Sequence, residues 1–368
     1  MNRYRDMNGG EGVHNSFRLA IAMHKIPVTV ITGFLGSGKT TTIRHLLQHN
    51  QGRRLAVLVN EFGEVGIDGD LLKSCQICDE PESETPNIVE LTNGCLCCTV
   101  QEEFFPTMQT LLQRRETIDH ILIETSGLAL PKPLVQAFRW PEIRTGATVD
   151  GVITVVDCVA LASGQLVGDL EALESQRQAD PNLDHETPIE ELFEDQLACA
   201  DLILLTKVDQ VDIATRQRVE TWLKQQVKPT VKIVACQQGE INPDVLLGFN
   251  AAVEDHLDTR PSHHDHEDDH DHDEQINSVY WVSPTEFEPK SLVKQLQTLL
   301  EQEEIYRIKG FVAVPNKPMR LVLQGVGNRF DQFYDRPWHH AESRETRLVI
   351  IGRDLTPHKI TAALAKVS

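Results

Sequence analysis

No run in this 368-residue chain approaches the ~20 apolar residues that a membrane-crossing helix needs, so no membrane partner is expected. Positive charge is scarce: 35 Lys and Arg face 55 Asp and Glu, for a formal charge of −20. Such a surface repels phosphate backbones, and nucleic acid is not an expected partner. A secretion signal is also poorly supported. Residues 17–23 are briefly apolar behind Arg3 and Arg5, but Arg18 interrupts them and no clear small-residue cleavage site follows. The expectation is a disordered extension over residues 1–24 on a cytoplasmic protein. The eight cysteines do not make the spaced frame of a secreted disulfide scaffold, because three of them crowd into Cys95-Leu96-Cys97-Cys98. No internal repeat stands out.

What is present reads as a globular chain of about two domains, with 40% apolar residues to build a sizeable core. Residues 27–32 form a short β-branched run, hence a buried strand. A glycine-rich turn follows at 33–40 and a helix at 41–49. Further strands are expected at 55–59, 120–123, 151–156, 202–205 and 231–234, with helical stretches between them, including 102–115. Residues 60–93 are rich in Gly, Asp, Glu and Pro and show no period. Strands alternating with helices imply an α/β domain over residues 25–250, with a mostly parallel sheet and helices on both faces. The composition then changes. Residues 251–275 hold His263-His264-Asp265-His266 and the acids and histidines up to Asp273, which cannot build a core and read as a linker. Residues 276–368 read as a small α+β domain, with strands at 278–282, 307–314, 319–324 and 347–351 and helices at 290–301 and 356–367.

Gly33-Phe34-Leu35-Gly36-Ser37-Gly38-Lys39-Thr40 fits the P-loop pattern and stands after a strand and before a helix, as that motif requires. Gly33, Gly36, Ser37 and Gly38 present backbone N–H groups to phosphates, and the helix N-terminus adds favourable partial charge. Lys39 is expected to reach the β- and γ-phosphates, the Thr40 hydroxyl to bind Mg2+, and Thr41 to complete the nucleotide-binding turn. Ile123-Glu124-Thr125-Ser126-Gly127 looks like a Walker B strand and its loop. Glu124 is the candidate catalytic carboxylate beside Lys39, acting through the metal or a water. Gly127 would bring a backbone N–H to the γ-phosphate. The competing reading is an ordinary polar strand end. Thr206-Lys207-Val208-Asp209 resembles the guanine-reading [NT]KxD element. Asp209 can accept from N1–H and N2–H2 of guanine, adenine offers no such donor pair, and Lys207 can lie over the base. GTP is therefore expected over ATP.

Cys95, Cys97 and Cys98 supply thiolates, soft ligands that favour Zn2+, Co2+ or Cu(I) over Mg2+. Cys158, Cys199 and Cys236 sit in or beside apolar elements and are expected to be inert. Cys75 and Cys78 add an upstream pair, which with residues 95–98 approximates the spacing of a structural zinc site. The histidines of the linker either collect metal weakly or belong to a solvated acidic spacer.

The P-loop, Asn60-Glu61-Phe62-Gly63-Glu64-Val65-Gly66-Ile67-Asp68, Asn93-Gly94-Cys95-Leu96-Cys97-Cys98, Glu124-Thr125-Ser126-Gly127 and the TKxD element follow one another in the order of the CobW-like metal-handling GTPases, which the chain resembles from about Lys25 onward. Lys309-Gly310-Phe311-Val312 and Gln324-Gly325-Val326-Gly327-Asn328-Arg329-Phe330 resemble the CobW branch of that family. The resemblance implies a GTPase whose C-x-C-C motif binds a cargo metal when Mg·GTP is present, with Cys97 and Cys98 the leading thiolates. It implies a switch over residues 60–70, with Glu61, Glu64 and Asp68 as its carboxylates. It also implies a metal-receiving client, which for Co2+ in cobalamin biosynthesis would be a cobaltochelatase. Zinc chaperones belong to the same family, so Zn2+ stays open beside Co2+. A regulatory GTPase with a structural zinc is the rival reading, and an ATP-dependent kinase a third.

Overall fold

The computed structural model describes residues 25–60, 87–91, 104–179, 188–247, 276–338 and 342–365. The first sheet has seven strands, all parallel: β1 (Ile26–Thr32), β2 (Leu55–Asn60), β3 (Asn87–Leu91), β4 (His120–Glu124), β5 (Ala147–Asp157), β6 (Leu202–Thr206) and β7 (Lys232–Ala235). Their order is β3-β2-β4-β1-β5-β6-β7. Every residue of β1, β4 and β6 is buried, as central parallel strands covered on both faces must be. This explains their continuous apolar runs.

Parallel strands need crossovers, and helices supply them. Among the described residues they are α1 (Lys39–Gln48), α2 (Phe105–Gln113), α3 (Pro131–Ala137), α4 (Pro141–Arg144), α5 (Cys158–Ala162), α6 (Leu170–Ala179), α7 (Ile189–Cys199) and α8 (Ile213–Gln226), and α9 (Pro243–Leu246) follows the last strand. In α1 the buried positions Lys39, Thr42, Ile43, Leu46 and Leu47 recur at three- and four-residue spacing, the signature of a helix with one face on a sheet. The chain runs outward from β1 through β2 to β3, then returns to β4 and crosses β1 to β5. Such a reversal opens a crevice at the carboxyl ends of the strands, the usual ligand site of open α/β sheets.

The second sheet is antiparallel: β8 (Ile276–Ser283), β9 (Ile305–Val312), β10 (Met319–Val326), β11 (Arg329–Pro337) and β12 (Thr346–Arg353), in the order β11-β10-β9-β12-β8. Helices α10 (Pro289–Gln302) and α11 (Pro357–Leu364) pack on it through Leu292, Leu296, Leu299, Ile360 and Leu364. Its other face meets the first sheet. Tyr306, Val326 and Ile351 are buried in one cluster with Ile31, Leu202 and Val234. Charged groups cross the same contact. Arg307 pairs with Asp150, both side chains fully buried. Arg53 pairs with Asp244, whose Oδ1 lies 3.7 Å from Lys309 Nζ. Arg329 Nε donates to Asp201 Oδ2 at 2.5 Å, and Thr148 Oγ1 to Asp331 Oδ2 at 2.8 Å.

Two strands differ from the expectation. Residues 87–91 lie within the stretch read as without period, yet they form β3, paired to β2 from Ala56↔Asn87 to Asn60↔Leu91. Residues 329–337 were assigned no element, yet they form β11. The first domain's fifth strand is also longer than expected, running from Ala147 to Asp157. The extension 1–24 and the linker 251–275 lie outside the described residues.

Candidate functional site

Strand ends β1, β4, β5 and β6 converge on one crevice. β1 gives way at Gly33, whose φ of +135° is open to glycine and strained for other residues, and a Cβ there would stand 2.2 Å from the Val155 carbonyl oxygen. The loop turns through Gly36 and Ser37 and reaches α1 with Gly38 as its left-handed N-cap. Among the described residues no side chain caps this end, so its first N–H groups face the crevice. Ser37 Oγ is buried and has no hydrogen-bond partner among the described residues. A buried hydroxyl in a loop of N–H donors is suited to a phosphate oxygen.

Lys39 is buried, and its Nζ donates to the carbonyls of Gly33 at 2.8 Å and Phe34 at 3.0 Å. These bonds lay the ammonium along the inside of its own loop. Thr40 Oγ1 donates to Glu124 Oε1 at 2.9 Å. A hydroxyl and a carboxylate oxygen side by side are the hard donors that Mg2+ selects. Glu124 is buried at the end of β4. The turn after it is fixed by Thr125, whose N–H donates to the Ile31 carbonyl at 3.0 Å and whose Oγ1 donates to Thr32 Oγ1 at 2.9 Å. Gly127 lies against the P-loop, where a Cβ would stand 2.6 Å from Leu35 N. Thr41 is exposed on the first turn of α1.

From the other side, Thr206 closes β6. Its Oγ1 donates to the Ser37 carbonyl at 2.7 Å, and the Val156 carbonyl lies at 3.1 Å. The commoner Asn is replaced here by a hydroxyl that still ties this strand end to the P-loop. Lys207 follows in the left-handed region, with φ of 55°, rare for a residue with a side chain. Asp209 is exposed in the short turn Val208–Gln210. The structure thus gathers residues 33–40, Glu124, Gly127, Thr206 and Lys207 at one end of the sheet, with Asp209 at its rim.

One charged residue here was not singled out from the sequence. Asp157 ends β5, is 6% exposed, and accepts from Lys207 Nζ at 2.5 Å. The available signal was an acid closing a β-branched run, as Glu124 does. Ending that strand at Val156 left Asp157 among the loop residues.

Cys95, Cys97, Cys98, Cys75, Cys78, Glu61, Glu64 and Asp68 lie outside the described residues. Asn60 and Leu91 are register partners at the ends of β2 and β3, and Val59 partners Glu124. Both strands therefore end at the Glu124 end of the sheet, one and two strands away, at about 4.8 Å per strand. Among the described residues, no group of three or more His, Cys, Asp or Glu could hold a metal. Cys158 and Cys236 are buried and Cys199 half-buried. Burial, and after it the Asp157 charge, pushes the Cys158 thiol up to about 11, so it stays protonated and a poor ligand near neutrality.

The profile of the CobW/HypB/UreG nucleotide-binding domain matches residues 27–235, and that of the CobW C-terminal domain residues 276–368. The chain belongs to this family. It is 57% identical over 332 residues to the zinc chaperone CobW of Pseudomonas aeruginosa, covering 90% of this chain and 88% of that protein. It is 47% identical to the zinc chaperone CobW of a Sinorhizobium species, covering 92% and 96%. It is 30% identical to the zinc chaperone YjiA of Escherichia coli K12, covering 93% and 99%. As a CobW-family member the chain is a P-loop GTPase, hydrolysing GTP to GDP and phosphate. No helix among the described residues is long and apolar enough to cross a membrane.

Proposed function

We propose that this GTPase is a metallochaperone, using GTP to hold and then release a transition metal bound by Cys95, Cys97 and Cys98. The observation that carries the proposal is the shared strand end. β2 ends at Asn60 and β3 at Leu91, one and two strands from Glu124, whose carboxylate accepts from Thr40 Oγ1. A change at the γ-phosphate end of the nucleotide therefore has a short route to both strand ends.

In this reading the P-loop N–H groups and Ser37 Oγ bind the phosphates. Lys39 exchanges its two loop carbonyls for β- and γ-phosphate oxygens. Thr40 and Glu124 would hold Mg2+, an ion that would neutralise charge developing on the phosphates. Glu124 would orient the attacking water, and the Gly127 N–H would face the γ-phosphate. Thr206, Lys207 and Asp209 select guanine. The metal is cargo, held by deprotonated thiolates. Zn2+ is the cargo favoured by the names of the relatives, each called a zinc chaperone. Co2+ destined for a cobaltochelatase rests on the resemblance described above alone.

The test is metal transfer. Protein loaded with Zn2+ and Mg·GTP is mixed with a chromogenic chelator standing in for the client. Release should track hydrolysis, and should slow to the spontaneous rate with a non-hydrolysable analogue. Release at one rate with GTP and with the analogue would leave a GTPase with no chaperone cycle.

A further inference from the structure

The base-reading element raises a question that its own four residues do not answer. A lysine side chain carries about 2 kcal/mol of rotamer entropy, so a long ammonium at the crevice rim makes a poor shelf for a base unless something holds it. Lys207 also stands on a left-handed backbone, φ 55° and ψ 30°, a conformation that persists only where the surroundings impose it.

Asp157 provides the hold. β5 and β6 are register partners at their last residues, Asp157↔Thr206, which places Lys207 one step beyond the carboxylate. The two oxygens of Asp157 divide their work. Oδ1 accepts from the N–H groups of Val159 at 2.8 Å and Ala160 at 3.2 Å, capping α5 and fixing the carboxylate plane. Oδ2 accepts from Lys207 Nζ at 2.5 Å. Gly168 leaves room behind it, since a Cβ there would come within 3.2 Å of Oδ2. The Asp157 side chain is 6% exposed and that of Lys207 34%. The acid is therefore rigid and the lysine reaches it from the open side.

We infer that Asp157 is the positioning residue of guanine recognition: it anchors the Lys207 ammonium so that the lysine stem lies ready as a shelf for the base. The inference rests on the reading of residues 206–209 as the guanine site. The partners of Asp157 are the α5 N–H groups and Lys207, so its role is to position. It acts by fixing Lys207 before the nucleotide arrives, which lowers the ordering cost of binding.

The test uses the full chain with Asp157→Asn, which keeps a good N-cap and loses the charged acceptor. Affinities are measured for GTP, for GDP and for inorganic tripolyphosphate, which carries phosphates without a base. GTP and GDP should both weaken about tenfold, and tripolyphosphate should bind as to the wild type. KM for GTP should rise by more than kcat falls. In a Lys207→Ala background, Asp157→Asn should add no further loss. Should Asp157→Asn not fold, Asp157→Ser also caps the helix but is too short to reach Lys207, and carries the same expectations. Equal weakening of tripolyphosphate and GTP would overturn the inference, as would losses from Asp157→Asn and Lys207→Ala that simply add. If Lys207→Ala alone leaves GTP affinity unchanged, the guanine reading itself fails, whatever Asp157 does.

Discussion

Gly33 holds a fixed position of the P-loop motif and Gly36 a variable one, and the two differ sharply in the structure. A Cβ on Gly33 would stand 2.2 Å from the Val155 carbonyl oxygen, against the 3.4 Å where ordinary contact begins, a shortfall of about 1.2 Å. Val155 lies within the central strand β5 and cannot retreat, so the loop must. A displacement of about 1 Å in a positioned site can cost on the order of a hundredfold. Gly33→Ala should therefore weaken GTP about a hundredfold and destabilise the fold by about 1–3 kcal/mol through backbone strain. Among the described residues a Cβ on Gly36 meets nothing within 4 Å, and its cost there is the φ of +73°. Gly36→Ala should cost about 1 kcal/mol of stability and change GTP affinity by no more than about fivefold. Calorimetric titration with Mg·GTP and urea unfolding of both variants decide the matter. Equal losses in the two variants, or wild-type GTP affinity in Gly33→Ala, would refute the argument from loop geometry.

Asp209 is exposed in its turn, so Asp209→Asn should leave urea unfolding within about 0.5 kcal/mol of wild type while weakening GTP at least tenfold and letting XTP compete; unchanged preference for GTP over XTP would remove the guanine reading. Arg307→Met leaves Asp150 a buried charge without its ion-pair partner, and should cost about 3–5 kcal/mol in chemical unfolding; adding Asp150→Leu should recover most of the loss, and failure of that recovery would show that the pair does not hold the sheets together. His45 is held below its ordinary 6.5 by burial first and the His49 charge second, against smaller opposing contributions from the Ile241 carbonyl and Glu240. Below pH 6.5 the unfolded chain then binds a proton that the folded chain refuses, so stability should fall as pH drops from 6.5 toward the depressed value; His45→Gln should flatten that part of the stability–pH curve, and an unchanged curve would remove His45 as its source.

The parts of this molecule that were legible in its sequence are those whose conformation is decided locally. The P-loop declares itself because glycines, Lys39 and Thr40 must fall at fixed offsets between a strand and a helix. The buried strands of the first sheet read clearly because both faces are covered, which forces continuous apolar runs. β3 escaped because five residues, Asn87–Leu91, sit among Gly, Asp, Glu and Pro, and the pairing with β2 that makes them a strand is remote in sequence. β11 escaped for a related reason. Arg329–Pro337 lacks the strict apolar–polar alternation that marks a half-buried strand, and charges such as Arg329 and Asp331 are spent on Asp201 and Thr148 of the first domain. The partnership of Asp157 with Lys207 was likewise beyond reach, because it depends on β5 and β6 ending side by side fifty residues apart.

The central claim is that nucleotide and metal are coupled through the Glu124 end of the sheet. The most direct measurement is an equilibrium titration of the purified chain with Zn2+, repeated with Co2+ for its thiolate charge-transfer bands, in the presence of no nucleotide, Mg·GDP and a Mg-bound non-hydrolysable GTP analogue. The account predicts much tighter metal binding with the analogue than with GDP, loss of that tight site in Cys97→Ala and Cys98→Ala, and reciprocal tightening of the analogue by metal by the same factor. Equal metal affinity with GDP and with the analogue would contradict it and leave a GTPase carrying a structural zinc.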